Sequence, residues 1–153
     1  MTTHSLKDKV VLITGGAKNL GGLISRKFAE QGAKLAIHYN SSETQADAEQ
    51  TLADVKALGT DAILIQADLT DIDNIEKLFL DTKQHFGGID IAINTVGKVL
   101  KKSFLETTEQ EFDSMSDINS KIAYFFIQSA GRHLNDGGKR ACKLFCVSSI
   151  FYK

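Results

Sequence analysis

The stretch Val10–Gly22, VVLITGGAKNLGG, decides how the whole chain is read. Its first five residues are apolar or β-branched, as in a buried strand, and four glycines in the next eight lead straight into a helix. The small residues therefore sit at a strand-to-helix turn. In a doubly wound sheet the first such turn binds phosphates, because glycines let the backbone approach a pyrophosphate and the free N–H groups of the helix start complement its charge. Taken alone, the glycines also fit a tight connection with no ligand. A Walker A loop is excluded, since Gly22 and Leu23 follow Gly21 where Lys and Ser or Thr are required.

Outward from this turn, short apolar runs alternate with stretches of helical period. The runs cover 10–14, 34–38, 62–66 and 89–94, with a weaker fifth at 143–147 that Lys143 interrupts. The first helix presents Leu23, Ile24 and Phe28 on one face and is capped near Gly32. The second, from about residue 43, carries Ala48, Leu52 and Val55 before Gly59. Ile72, Ile75, Leu78 and Phe79 mark the third, closed by Gly87 and Gly88. The fourth is the longest, starting near residue 108 with Phe112, Met115, Ile118, Ile122 and Phe125. This rhythm predicts one α/β domain over 1–153, a Rossmann-like doubly wound parallel sheet of the form βαβαβαβα plus the fifth strand, incomplete at its C-terminal end.

The 153 residues are 42% hydrophobic and 24% charged with a formal net charge of −1, so one core is expected and affinity for nucleic acid is not. No apolar run reaches the roughly 20 residues that span a bilayer, and the polar start MTTHSLKDK lacks a signal-peptide core. No membrane partner and a cytoplasmic location are expected. Cys142 and Cys146 would lie roughly 13 Å apart on a strand, too far for a disulfide, and no metal set is completed around them.

From residue 8 to about 139 the landmarks resemble the classical short-chain dehydrogenase/reductase family. Its T-G-x-x-x-G-x-G motif falls on Thr14, Gly15, Asn19 and Gly21, with Lys18 and Leu20 inside the turn and Asn19 in place of the middle glycine. Asparagine is the residue after glycine that best tolerates a left-handed backbone. Asp68 and Leu69 match the segment against the adenine ring, and Asn94 and Gly97 match two positions of the family's N-N-A-G. Asn119 stands where the family has its catalytic asparagine, which holds a proton-relaying water. The resemblance implies an oxidoreductase of a carbonyl/alcohol pair using a nicotinamide dinucleotide, and a homo-oligomer for the full-length member.

NADP(H) is expected over NAD(H). An NAD site usually offers a carboxylate at the end of the second strand, but here the chain reads His38, Tyr39, Asn40, Ser41, Ser42 before any acid. Lys18 matches a basic position of NADP-dependent members, and Asn40 and Ser41 could donate to a 2′-phosphate.

The resemblance also implies a catalytic tyrosine with a lysine four residues later, and a serine. Tyr39 is followed at that spacing by Glu43 and Tyr124 by Gln128, while Tyr152 is the penultimate residue. Counting from Gly138 puts the serine's place at Phe145, and Ser149, four residues later, is the candidate for that role. The expectation is therefore a divergent tail over 140–153, from a frameshift or altered splicing, and a chain lacking the Tyr–Lys pair. The alternatives are a dinucleotide-binding module or an inert product without turnover.

Overall fold

The computed structural model describes residues 6–136. Among them, four parallel strands form one sheet: β1 (Val10–Thr14), β2 (Lys34–Tyr39), β3 (Ala62–Gln66) and β4 (Ile91–Asn94), in the order β3-β2-β1-β4. Their crossovers are α1 (Asn19–Glu30), α2 (Gln45–Ala57) and α3 (Ile72–Phe86). After β4 come α4 (Glu109–Ser116), a π-helical turn (Asp117–Lys121) and α5 (Ile122–His133). The chain first steps from β1 to β3 on one side and then crosses back to place β4 on the other side of β1. The C-terminal ends of β1 and β4 thus flank the switch point, where a doubly wound sheet opens a crevice.

Two cores follow from the two-residue period of the strands. Val11, Ile13, Leu35, Ile37 and Ile93 face α1 and α2 with Ala29 and Val55, whereas Leu12, Ala36 and Ala92 face α3 and α5 with Leu78, Phe79, Phe126 and Ala130. Because both faces are covered, β1 is buried at every residue, which is why it reads as a continuous apolar run. The Phe79 and Phe126 rings meet at 5.1 Å and join α3 to α5.

Helix ends carry their own chemistry. Asp71 caps α3 by accepting from the Asp73 amide, and Gly87 ends it at φ +85°. Thr108 and Glu111 form a reciprocal capping box at α4.

Several expectations are corrected. The second helix begins at Gln45 after a short 3₁₀ turn, Ser42–Thr44; β2 extends to Tyr39, and β4 starts at Ile91, not 89. Leu23 is 52% exposed, because α1 buries Gly21, Ser25 and Ala29 at helical i, i+4 spacing, and a residue two places from Gly21 points the other way. Phe112 is 61% exposed, because among the described residues α4 packs against little besides the turn that follows it. The π turn inserts an extra residue into the long helix, so the buried stripe runs Met115, Asn119, Ile122, Ala123, Phe126 and Ala130. Ile118 and Phe125 are left half-buried. The fifth strand at 143–147 and the tail 140–153 lie outside the described residues.

Candidate functional site

Thr14 ends β1 fully buried, with its hydroxyl donating to Asn94 Oδ1 at 2.6 Å. Its carbonyl accepts from the Thr95 amide at 3.1 Å and from Thr95 Oγ1 at 2.7 Å. The exits of β1 and β4 are therefore locked together beneath the glycine turn. The Asn94 amide nitrogen is buried without a hydrogen-bond partner, while its Oδ1 also accepts from the Val96 amide.

Within the turn, Gly15 adopts φ +66° and Asn19 φ +50°, so the asparagine takes the left-handed conformation expected of it. Gly21 is a steric requirement: a Cβ there would lie 2.0 Å from the Gly15 carbonyl oxygen. The turn folds back on itself with no room for a side chain. Ser25, fully buried in α1, shares its hydroxyl between the carbonyls of Gly16 at 2.9 Å and Gly21 at 3.0 Å. Thr51 in α2 donates to the Ala17 carbonyl at 2.6 Å.

Across the turn stands His38 of β2, 1% exposed. Its Nδ1 accepts from the Gly15 amide at 3.1 Å, its carbonyl accepts from the Gly16 amide at 3.1 Å, and its Nε2 lies 2.9 Å from the Ala67 carbonyl. Burial lowers its pKa, opposed by the Ala67 hydrogen bond and the Asp68 charge.

Above these groups lies a cleft of about 620 Å³. Gly15, Lys18, Asn19, Leu20 and Gly21 form its floor, and Tyr39, Asn40, Asp68 and Leu69 one wall. Gly97 and Lys98 with Val96, Ile118 and Ile122 form the other. The volume lies in the range of small-molecule and cofactor sites. Asp68 is oriented by Thr70, whose amide and hydroxyl donate to its Oδ1 at 3.0 and 2.7 Å, and these bonds lower its pKa, the hydroxyl contributing most. Lys18 Nζ sits 3.5 Å from Asp47 at the cleft's rim.

Most of the residues singled out in the sequence come together here. Four do not line the cleft. Thr14 and Asn94 lie beneath it, as their burial and pairing require. Ser41 opens the 3₁₀ turn, its carbonyl accepting from Thr44 Oγ1 at 3.0 Å, and Thr44 faces the cleft in its stead. Asn119 is buried on the π turn and bonds the Lys98 backbone. Ser149 lies outside the described residues. The sequence patterns pass over His38 and Lys98, because their partners are distant in sequence, and over Thr44 and Thr70, whose part is set by short local turns that periodicity does not register. Among the described residues no cluster of metal-ligating side chains is present, and no helix is long and apolar enough to cross a membrane.

A parallel sheet with a glycine-closed turn at its switch point is a Rossmann-type α/β architecture. The chain belongs to the short chain dehydrogenase family, whose profile matches residues 9–151, a span that runs past Lys139. It is 34% identical over 138 residues to a hydroxynaphthalene reductase-like protein of Metarhizium brunneum, covering 90% of this chain and 51% of that protein. Among solved structures it is similar to a Burkholderia cenocepacia protein with bound NADP, at TM-score 0.83 and 64% identity, covering 89% of this chain and 52% of that one. A short-chain dehydrogenase from Oenococcus oeni gives TM-score 0.78 and 44% identity over 90% of this chain and 61% of that one. The chain spans about half the length of the curated relatives it matches.

Proposed function

We propose that these residues are the cofactor-binding part of an NADP(H)-dependent oxidoreductase acting on a carbonyl/alcohol pair. The observation that carries the reading is the steric closure of Gly21 on Gly15 at the switch point, a cradle that a single Cβ would fill. Gly15 and Asn19 through Gly21 would hold the pyrophosphate, with Thr14 and Asn94 bracing the turn from below. Asp68 and Leu69 would flank the adenine. Lys18, Tyr39 and Asn40 would surround the 2′-phosphate, with Thr44 facing the cleft in place of Ser41, a region with no carboxylate on β2 to repel it. Gly97 lines the far wall, and Asn119 fixes the backbone at Lys98. The NADP in the Burkholderia cenocepacia structure supports the cofactor assignment.

When bound, the nicotinamide supplies or accepts hydride. What these residues contribute is orientation and exclusion of water, through apolar walls at Leu20, Val96, Ile118 and Ile122. By the resemblance, Asn119 would also hold a relay water. Proton transfer to the substrate oxygen needs an acid such as the family's Tyr–Lys pair, which does not occur at its spacing within these 153 residues. The alternative is a module that binds the dinucleotide without turnover. Titrating the chain with NADPH and NADH tests the binding, with NADPH expected about tenfold tighter or more. Equal affinity would remove the 2′-phosphate assignment, and no binding of either would remove the reading. Hydride transfer to a panel of ketones separates the enzyme from the module. A homo-oligomer for the full-length protein, for which the long helix offers exposed Phe112, Tyr124 and Ile127, and a cytoplasmic location are further proposals. Light scattering and cell fractionation test them.

A further inference from the structure

We propose that His38 is a positioning residue for the dinucleotide, its neutral imidazole holding the Gly15 amide in place and setting the glycine turn against the segment that carries Asp68. The inference rests on the cofactor reading above.

The tautomer follows from the partners. A backbone N–H only donates, so Nδ1, 3.1 Å from the Gly15 nitrogen, must be the unprotonated acceptor. The ring proton then sits on Nε2 and is donated to the Ala67 carbonyl at 2.9 Å. One rigid ring therefore joins two walls of the cleft: the glycine turn on one side and, on the other, the residue just before Asp68. The His38 carbonyl takes the Gly16 amide as well, so one residue of β2 supplies acceptors to two successive amides of the turn. A second proton on the ring would abolish the Gly15 contact, and burial in the sheet opposes that proton.

This arrangement has a consequence for binding. Gly15 lies in the left-handed region with little space around it, and its carbonyl is the atom that Gly21 closes upon. Fixing the Gly15 amide fixes the peptide geometry over which a pyrophosphate would lie. Preorganisation of that kind appears in affinity, since a loose turn must be ordered when ligand binds. A buried histidine that merely satisfied its own polar atoms would affect stability and leave affinity alone.

Three variants separate the roles. H38N retains an acceptor near the position of Nδ1 but is too short to reach Ala67. H38Q reaches toward Ala67 but carries its polar atoms away from Gly15. H38L does neither. Each is measured in the 153-residue chain for NADPH affinity, melting temperature and hydrogen exchange of the Gly15 amide without ligand, and the wild-type ring tautomer is read from imidazole ¹⁵N shifts. Expected are an Nε2-protonated ring and a protected Gly15 amide in the wild type. NADPH binding should weaken about tenfold or more in H38L and H38Q, with H38N restored to within about threefold of wild type. Affinity that follows melting temperature across the series, or an H38L variant that binds as tightly as wild type, overturns the proposal. So does an unprotected Gly15 amide, even where NADPH binds. Wild-type chain that shows the tautomer and the protected amide but binds no NADPH overturns the cofactor reading and, with it, the positioning role. Should H38L fail to fold, the contrast between H38N and H38Q decides.

Discussion

Asn119 and Lys98 hold each other by a complete amide pairing: the Lys98 N–H donates to Asn119 Oδ1 at 2.9 Å, and Asn119 Nδ2 donates to the Lys98 carbonyl at 2.9 Å. An isolated helix surface would not bury an asparagine there. The π turn rotates Asn119 inward, where its amide does for the strand exit what a neighbouring strand does for an edge. The segment after β4 is thereby docked on the long helix, and the far wall of the cleft takes its shape from that contact.

Replacing Asn119 by Asp tests this directly. The carboxylate keeps an acceptor for the Lys98 amide but faces the Lys98 carbonyl with no donor. A loss of about 2 kcal/mol in stability is expected, together with faster hydrogen exchange at Lys98. Thermal or urea unfolding measures the first and exchange the second. An N119D chain as stable as wild type, with Lys98 still protected, would count against the pairing as a structural element.

At the glycine turn the expected effects are unequal. G21A drives a methyl group to 2.0 Å from the Gly15 carbonyl, so the turn must open and NADPH affinity should fall about a hundredfold or more. N19G should change stability by less than about 0.5 kcal/mol, while N19A, forced to a positive φ without the tolerance of asparagine, should cost about 1 kcal/mol. Titration and thermal melts on the three variants check both statements. An N19A chain as stable as N19G would show that the left-handed conformation is not required.

The sheet and its glycine turn are legible in the sequence because they depend on local chemistry. A strand buried on both faces, like β1, needs an unbroken apolar run, and a left-handed residue needs glycine or asparagine. Ser41 and Thr44 were less legible, since the 3₁₀ turn before α2 decides which hydroxyl faces the cleft. Leu23 and Phe112 misled for a different reason. Helical periodicity identifies an apolar stripe but cannot register that small residues draw α1 close to the turn, or that α4 packs against little besides the turn that follows it. His38 could not be assigned from pattern at all: its two ring partners are 23 and 29 residues away in the chain, and only the packed sheet brings them together.

Lys18 and Asp47 define a specificity test. The pair lies 3.5 Å apart and both side chains are about half exposed, so it stabilises the fold little. For a 2′-phosphate the signs differ: Lys18 attracts, and Asp47 competes for the same ammonium while repelling the ligand. K18A should weaken NADPH binding about fivefold or more and leave NADH unchanged, whereas D47N should strengthen NADPH binding by a few-fold. Both effects should shrink as salt is raised. Titrations of both cofactors at low and high ionic strength provide the measurement, and an effect of equal size on NADH would show that Lys18 acts on the shared part of the cofactor.

Far from the cleft, Glu76 of α3 binds α5 through three side chains: it accepts from Ser129 Oγ at 2.9 Å and from His133 Nε2 at 2.5 Å, with Arg132 at 3.9 Å. The His133 hydrogen bond is the largest cause of its lowered pKa, with smaller contributions from Ser129 and from the charges of His133 and Arg132, against some desolvation. A carboxylate whose folded pKa lies below its unfolded value contributes stability that is fully present above the unfolded value, near 4.5, and is lost as pH falls through the folded one. The wild-type melting temperature should therefore fall on acidification below about pH 4.5 more steeply than that of E76Q, in which the titrating group is absent. At neutral pH, E76Q should be less stable by roughly 1 kcal/mol, since its amide can satisfy only part of the same set. The two melting curves should converge in acid, because protonation removes from the wild type what the substitution has already removed. Parallel curves from pH 7 to pH 3 would mean that the charge on Glu76 does not join the two helices.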